Sequence, residues 1–122
     1  MSTYTVIMPY VGKSLSVNYY KIVGRGGLKT NCTKSVVKVW MQQLKAKVRE
    51  VVEFPVLEPV TITLLGRFED SRCPDLANLH KVIGDAIKEA IGVDDKYFNF
   101  EDKGFSTGHK RQELEIGIIT GG

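Results

Sequence analysis

Two amphipathic stretches on either side of a proline break constrain this chain more than any other feature. Val37, Trp40, Met41, Leu44, Val48 and Val51 recur at three- and four-residue spacing, and so do Leu76, Leu79, Ile83, Ala86, Ile87 and Ala90. Side chains three and four apart share one side of an α-helix, so residues 34–52 and 76–91 are predicted helices with one face each to bury. Thr33 or Asn31 is placed to cap the first, and Gly92 stops the second. Lys34, Lys38, Gln42, Lys45 and Arg49 line the outer face of the first helix, while Trp40 lies on the apolar stripe and is assigned to the core.

The remaining apolar residues alternate with polar ones, the period of a strand. Thr3–Met8, Val60–Leu65, Tyr97–Phe100 and Leu114–Thr120 read as strands. Val17–Val23 and Leu28–Thr30 flank Gly24-Arg25-Gly26-Gly27, a turn composition that predicts a hairpin. Those glycines match neither of the phosphate-cradling glycine motifs. The resulting order is strand, hairpin, helix, strand, helix, strand, strand, an α+β single domain spanning residues 1–122 in which two helices pack against one mixed β-sheet.

A chain of 122 residues with 43% hydrophobic and 25% charged side chains is long enough for one buried core and too short for two. It has no apolar run of roughly 20 residues and no basic-then-apolar leader, which predicts a cytoplasmic protein with no membrane partner. Cys32 and Cys73 belong to no C-x-x-C unit, and with His80 and His109 they make too thin a set for zinc; reduced thiols are expected.

Charge is unevenly shared. Residues 1–49 carry Lys13, Lys21, Arg25, Lys29, Lys34, Lys38, Lys45, Lys47 and Arg49 and no acidic side chain, so all 14 carboxylates fall in the remainder. One half is suited to a polyanion and the other to a cation, a division that points to nucleic acid. Lys13, Lys21, Arg25, Lys29, Lys34 and Lys38, with Arg72 in the loop before the second helix, are the candidate phosphate contacts.

The acidic residues themselves gather around the second helix. Asp75 stands at its entrance, Asn78, Lys81 and Asp85 lie opposite its apolar stripe, and Asp94-Asp95 follows Gly92. Each has an ordinary structural use: Asp75 as an N-cap, Lys81 and Asp85 as an i,i+4 pair, Asp94-Asp95 as a solvated turn. Together they suggest more. Two carboxylates held about 4 Å apart repel by roughly 4 kcal/mol at an effective dielectric near 20, and a divalent cation relieves that repulsion. Magnesium binds through few carboxylates plus water and phosphate oxygens, activates water toward a phosphodiester, and works beside a lysine that offsets developing charge.

Asp75-Leu76-Ala77-Asn78, Lys81, Asp85-Ala86 and Asp94-Asp95 resemble the D-L-D-N-x-x-K-x-x-x-D-A signature, with its later D-D pair, of the RusA family of Holliday junction resolvases. The likeness extends to the Thr-Tyr strand running into Pro9, to Asn18-Tyr19-Tyr20 and the Gly-Arg hairpin, and to Glu113-Leu114-Glu115-Ile116, so that it spans essentially the whole chain. The resemblance implies a Mg²⁺-dependent endodeoxyribonuclease, with Mn²⁺ a possible substitute, that resolves four-way DNA junctions by paired symmetric nicks. It implies that Asp75 and Asp95 bind the metal, that Lys81 serves catalysis, and that Asn78, Asp85 and Asp94 support them. It also implies a homodimer, whose two-fold symmetry suits a two-fold-symmetric substrate.

One position departs from the signature. Ala77 occupies the place of the family's second aspartate, and a methyl group neither ligates a metal nor orients water. Loss of that carboxylate is expected to slow hydrolysis by orders of magnitude, each factor of ten being about 1.4 kcal/mol of barrier. Either an active parent was substituted at this position, or a natural variant lost or rebuilt its site. The rival reading from another class is a non-catalytic protein that binds branched DNA.

Overall fold

The structure, a computed structural model, describes residues 1–15, 20–25, 28–33 and 35–121, without the side chains of residues 13, 20–25 and 28–33. Its strands are β1 (Ser2–Pro9), β2 (Tyr20–Arg25), β3 (Leu28–Thr33), β4 (Val60–Arg67), β5 (Phe98–Ser106) and β6 (Glu113–Thr120). Its α-helices are α1 (Ser35–Val51) and α2 (His80–Ile91), and short 3₁₀ turns form at Lys13–Leu15, Leu76–Leu79 and Asp95–Tyr97.

A four-stranded mixed sheet, ordered β1-β6-β4-β5, carries the fold. β6 lies antiparallel to both neighbours, with Val6 opposite Ile116 on β1 and Ile62 opposite Ile118 on β4. β5 runs parallel to β4, with Val60 beside Phe98 and Ile62 beside Phe100. A parallel pair needs a crossover, and α2 supplies it between β4 and β5. The hairpin β2–β3 forms, but as a separate two-stranded sheet rather than as part of the main one. Its turn residues Gly26 and Gly27, and the expected start of its first strand at Val17, lie outside the described residues.

Alternation along the strands selects one face for the core. Val6, Met8, Ile62, Leu64, Leu114, Ile116 and Ile118 are buried there against Val37, Trp40, Leu44 and Val48 of α1 and Ile83, Ala86, Ile87 and Ala90 of α2. The predicted two helices over one mixed sheet are therefore present. Trp40, only 2% exposed, donates its indole N–H to the Pro9 carbonyl at 2.7 Å, which satisfies the one polar atom its burial would otherwise strand. The stripe drifts at the end of α1. Val51, expected inside, is 41% exposed, and Val52 takes the inward position as its N–H closes a last bond to the Val48 carbonyl.

The second predicted helix needs a correction at its start. Asp75 accepts from the Ala77 N–H at 3.1 Å and closes a 3₁₀ turn over Leu76–Leu79, so the α-helix begins only at His80. The side-chain bond two residues on competes with α-helical pairing and tightens the turn. At the other end, Gly92 adopts φ 72° and its N–H reaches the Lys88 carbonyl, the left-handed stop that a glycine makes without steric cost. Tyr97 belongs to the 3₁₀ turn Asp95–Tyr97, so β5 starts one residue later than expected and runs on to Ser106.

Candidate active site

The β4–α2–β5 crossover brings part of the acidic motif to one place. Ala77 from the 3₁₀ turn, Lys81, Gly84 and Asp85 from α2, Asp95 from the turn after it, and Phe98 and Phe100 from β5 line an open cavity of about 450 Å³, together with His80. Lys81 Nζ lies 3.5 Å from Asp85 Oδ2, and Asp95 Oδ1 lies 4.0 Å from Lys88 Nζ. Asp94 caps its turn by accepting from the Lys96 N–H at 3.1 Å. That bond is the chief cause that holds the Asp94 carboxyl below the ordinary carboxylate range.

Asp75 takes a different position. It lines a neighbouring cavity of about 490 Å³ with Ser71, Cys73, Pro74, Leu76, Asp102, Gly104 and Phe105. Asn78 is exposed on the same 3₁₀ turn, and its N–H donates to the Asp75 carbonyl at 3.0 Å. Ala77, Lys81, Asp85 and Asp95 thus line one cavity, and Asp75 lines the other. Among the described residues, no three His, Cys, Asp or Glu side chains are grouped closely enough to hold a metal ion.

Sequence reasoning missed a pair at the boundary of the two cavities. His80 Nε2 lies 2.8 Å from Asp102 Oδ1, and the imidazole stacks on Phe100 with ring centroids 4.2 Å apart and an interplanar angle of 13°. Both side chains are partly shielded, at 30% and 32% exposure. His80 sits inside the motif, between Asn78 and Lys81, but its partner is 22 residues away, and no spacing rule links the two. Gly84 lets α2 approach β5 here, since a Cβ at that position would stand 3.2 Å from Phe100 Cζ.

The described basic residues divide between exposed positions and ones that tie elements together. Lys38 is exposed on α1. Lys47 donates to the Ile7 carbonyl at 2.6 Å, and Arg49 donates to the Ala90 and Glu89 carbonyls at 3.3 Å each, so both tie α1 to its neighbours. Arg72 is exposed but pairs with Asp70 at 2.7 Å. Lys34 and the side chains of Lys13, Lys21, Arg25, Lys29 and Cys32 lie outside the described residues, and Cys73 is a free, partly buried thiol. No described helix is long and apolar enough to cross a membrane.

No protein-family model matches the chain, and no curated protein does. Among solved structures, it overlaps 2C-methyl-D-erythritol 2,4-cyclodiphosphate synthase from Plasmodium vivax at 12% identity and a TM-score of 0.40, covering 98% of this chain and 97% of that one. It also overlaps the CDP complex of IspF from Plasmodium falciparum at 14% identity and a TM-score of 0.44, covering 97% and 92%. Overlaps this loose assign the chain neither a fold family nor an activity.

Proposed function

We propose that this chain is a structure-selective endodeoxyribonuclease of the RusA type whose metal site is incomplete as the sequence stands. It binds four-way DNA junctions as a homodimer and cuts them slowly or not at all. The observation that carries this reading is the cavity that Ala77, Lys81, Asp85 and Asp95 line together, drawn from two turns and a helix. An aspartate at position 77 would add a third carboxylate beside Asp85 and Asp95. Without it, the two carboxylates of that cavity, Asp85 and Asp95, are left to hold Mg²⁺ or Mn²⁺ with water and phosphate oxygens, and no described trio of ligating side chains stands behind them. Lys81 is placed to neutralise charge on a phosphate entering that cavity.

The test is the Ala77→Asp variant on a four-way junction with Mg²⁺. Paired, symmetric nicks are expected from the variant, at a rate at least a hundred-fold above the unsubstituted chain. Tight junction binding without cutting by either protein contradicts the nuclease reading. That outcome would leave the second reading, a non-catalytic protein that recognises branched DNA.

A further inference from the structure

The motif gives His80 no role and does not include Asp102, yet His80 lines the cavity that Lys81, Asp85 and Asp95 share. We infer that His80 is the general base of this site, oriented by Asp102, and that it accepts a proton from the water that attacks a phosphodiester. The inference rests on the nuclease reading above.

Three observations support it. The 2.8 Å contact of Nε2 with a carboxylate oxygen is a hydrogen bond in which the ring nitrogen donates, because an ionised carboxylate only accepts. In the neutral ring the proton then sits on Nε2, and Nδ1 keeps its lone pair; fixing a tautomer this way is the usual task of a carboxylate behind a catalytic histidine. Second, the stack on Phe100 holds the plane of the ring, so that two contacts on two sides fix its orientation. Third, His80 lines the cavity of Ala77, Lys81, Asp85 and Asp95, whereas Asp102 lines the adjoining one. Asp102 thus engages Nε2 from the adjoining cavity, and Nδ1 is the ring nitrogen left to accept a proton. The surrounding charged groups are Lys81 and Asp85 on α2, Asp95 after it, Asp102 on β5 and Asp75 before the 3₁₀ turn.

The step balances without an added reactant. Water gives a proton to Nδ1 as its oxygen forms a bond to phosphorus; the bond from phosphorus to the leaving sugar oxygen breaks, and that oxygen takes a proton from solvent. The imidazolium then returns its proton to solvent, leaving a phosphomonoester and a sugar hydroxyl. A positioned base of this kind contributes roughly 10²–10⁴-fold. Asp102 is a positioning residue that acts through the ring.

The experiment uses the full chain carrying Ala77→Asp, with a four-way junction and Mg²⁺. Adding His80→Phe keeps a ring on Phe100 and removes both nitrogens. It is expected to lower the cutting rate by about a hundred-fold or more with junction affinity unchanged. Adding His80→Ala instead is expected to give an enzyme that free imidazole partly restores. Nitrogen chemical shifts of His80 are expected to report the Nε2–H tautomer, and Asp102→Asn to erode that preference. Undiminished cutting by the His80→Phe double variant overturns the inference and leaves the nuclease reading standing, as does an Nδ1–H tautomer. No cutting by the Ala77→Asp parent overturns both.

Discussion

At Asp75, two roles compete that one substitution can separate. Its carboxylate caps the 3₁₀ turn through the Ala77 N–H, so Asp75→Ala is expected to cost about 1 kcal/mol in thermal or denaturant unfolding, and Asp75→Asn, which keeps an accepting oxygen, only a few tenths. If Asp75 also serves the metal, Asp75→Asn will abolish cutting by the Ala77→Asp protein while leaving its stability in place. Asp94 makes a second residue-scale prediction. Its carboxyl is held low chiefly by the Lys96 N–H, so its folded pKa lies below the unfolded value. Its contribution to stability is therefore present above the ordinary aspartate pKa and is lost as pH falls through the folded one. A carbon-detected NMR titration should show Asp94 protonating below the usual aspartate range, and an ordinary midpoint would contradict the capping geometry.

The helices were legible as elements because their apolar spacing survives in the structure, with Leu76, Leu79, Ile83, Ala86, Ile87 and Ala90 all buried as the sequence implied. The places where the reading slipped share a cause. The start of α2 moved because a side-chain hydrogen bond, invisible in periodicity, set a tighter turn, and the length of β5 was missed because residues 101–106 are exposed on an edge and carry no alternation. Separation of β2–β3 from the main sheet depends on long-range pairing that no local pattern encodes. The contact between the two helices offers a test at this scale. Arg49 donates to the last carbonyls of α2, and Gly92 ends that helix with a left-handed backbone. Arg49→Ala and Gly92→Ala should each cost about 1 kcal/mol, the first through lost hydrogen bonds and the second through steric strain. The two effects should fall short of or exceed their sum, because both act on the last turn of α2 and neighbouring sites couple.

For the whole molecule, the sequence reading expected Asp75, Ala77, Lys81 and Asp95 in one site. Ala77, Lys81 and Asp95 line one cavity with Asp85, because a helix and the turns at its ends convert spacing into proximity, whereas Asp75 lines another. The sequence did not reveal that Asp75 faces the adjoining cavity or that Asp102 reaches back to His80, since both depend on where β5 lies beside α2. The uneven charge of the chain bears on affinity rather than on chemistry. If about six cations meet phosphates, the logarithm of junction affinity should fall against that of salt concentration with a slope near −5, and a flat response would deny nucleic acid as the partner. Whether position 77 completes a nuclease site with Asp95 is decided by four-way-junction cleavage in Mg²⁺, measured for Ala77→Asp beside Ala77→Asp/Asp95→Asn. The account predicts paired nicks from the first protein and at least a hundred-fold loss in the second. Equal cutting by the two, or none by the first despite tight binding, would contradict it.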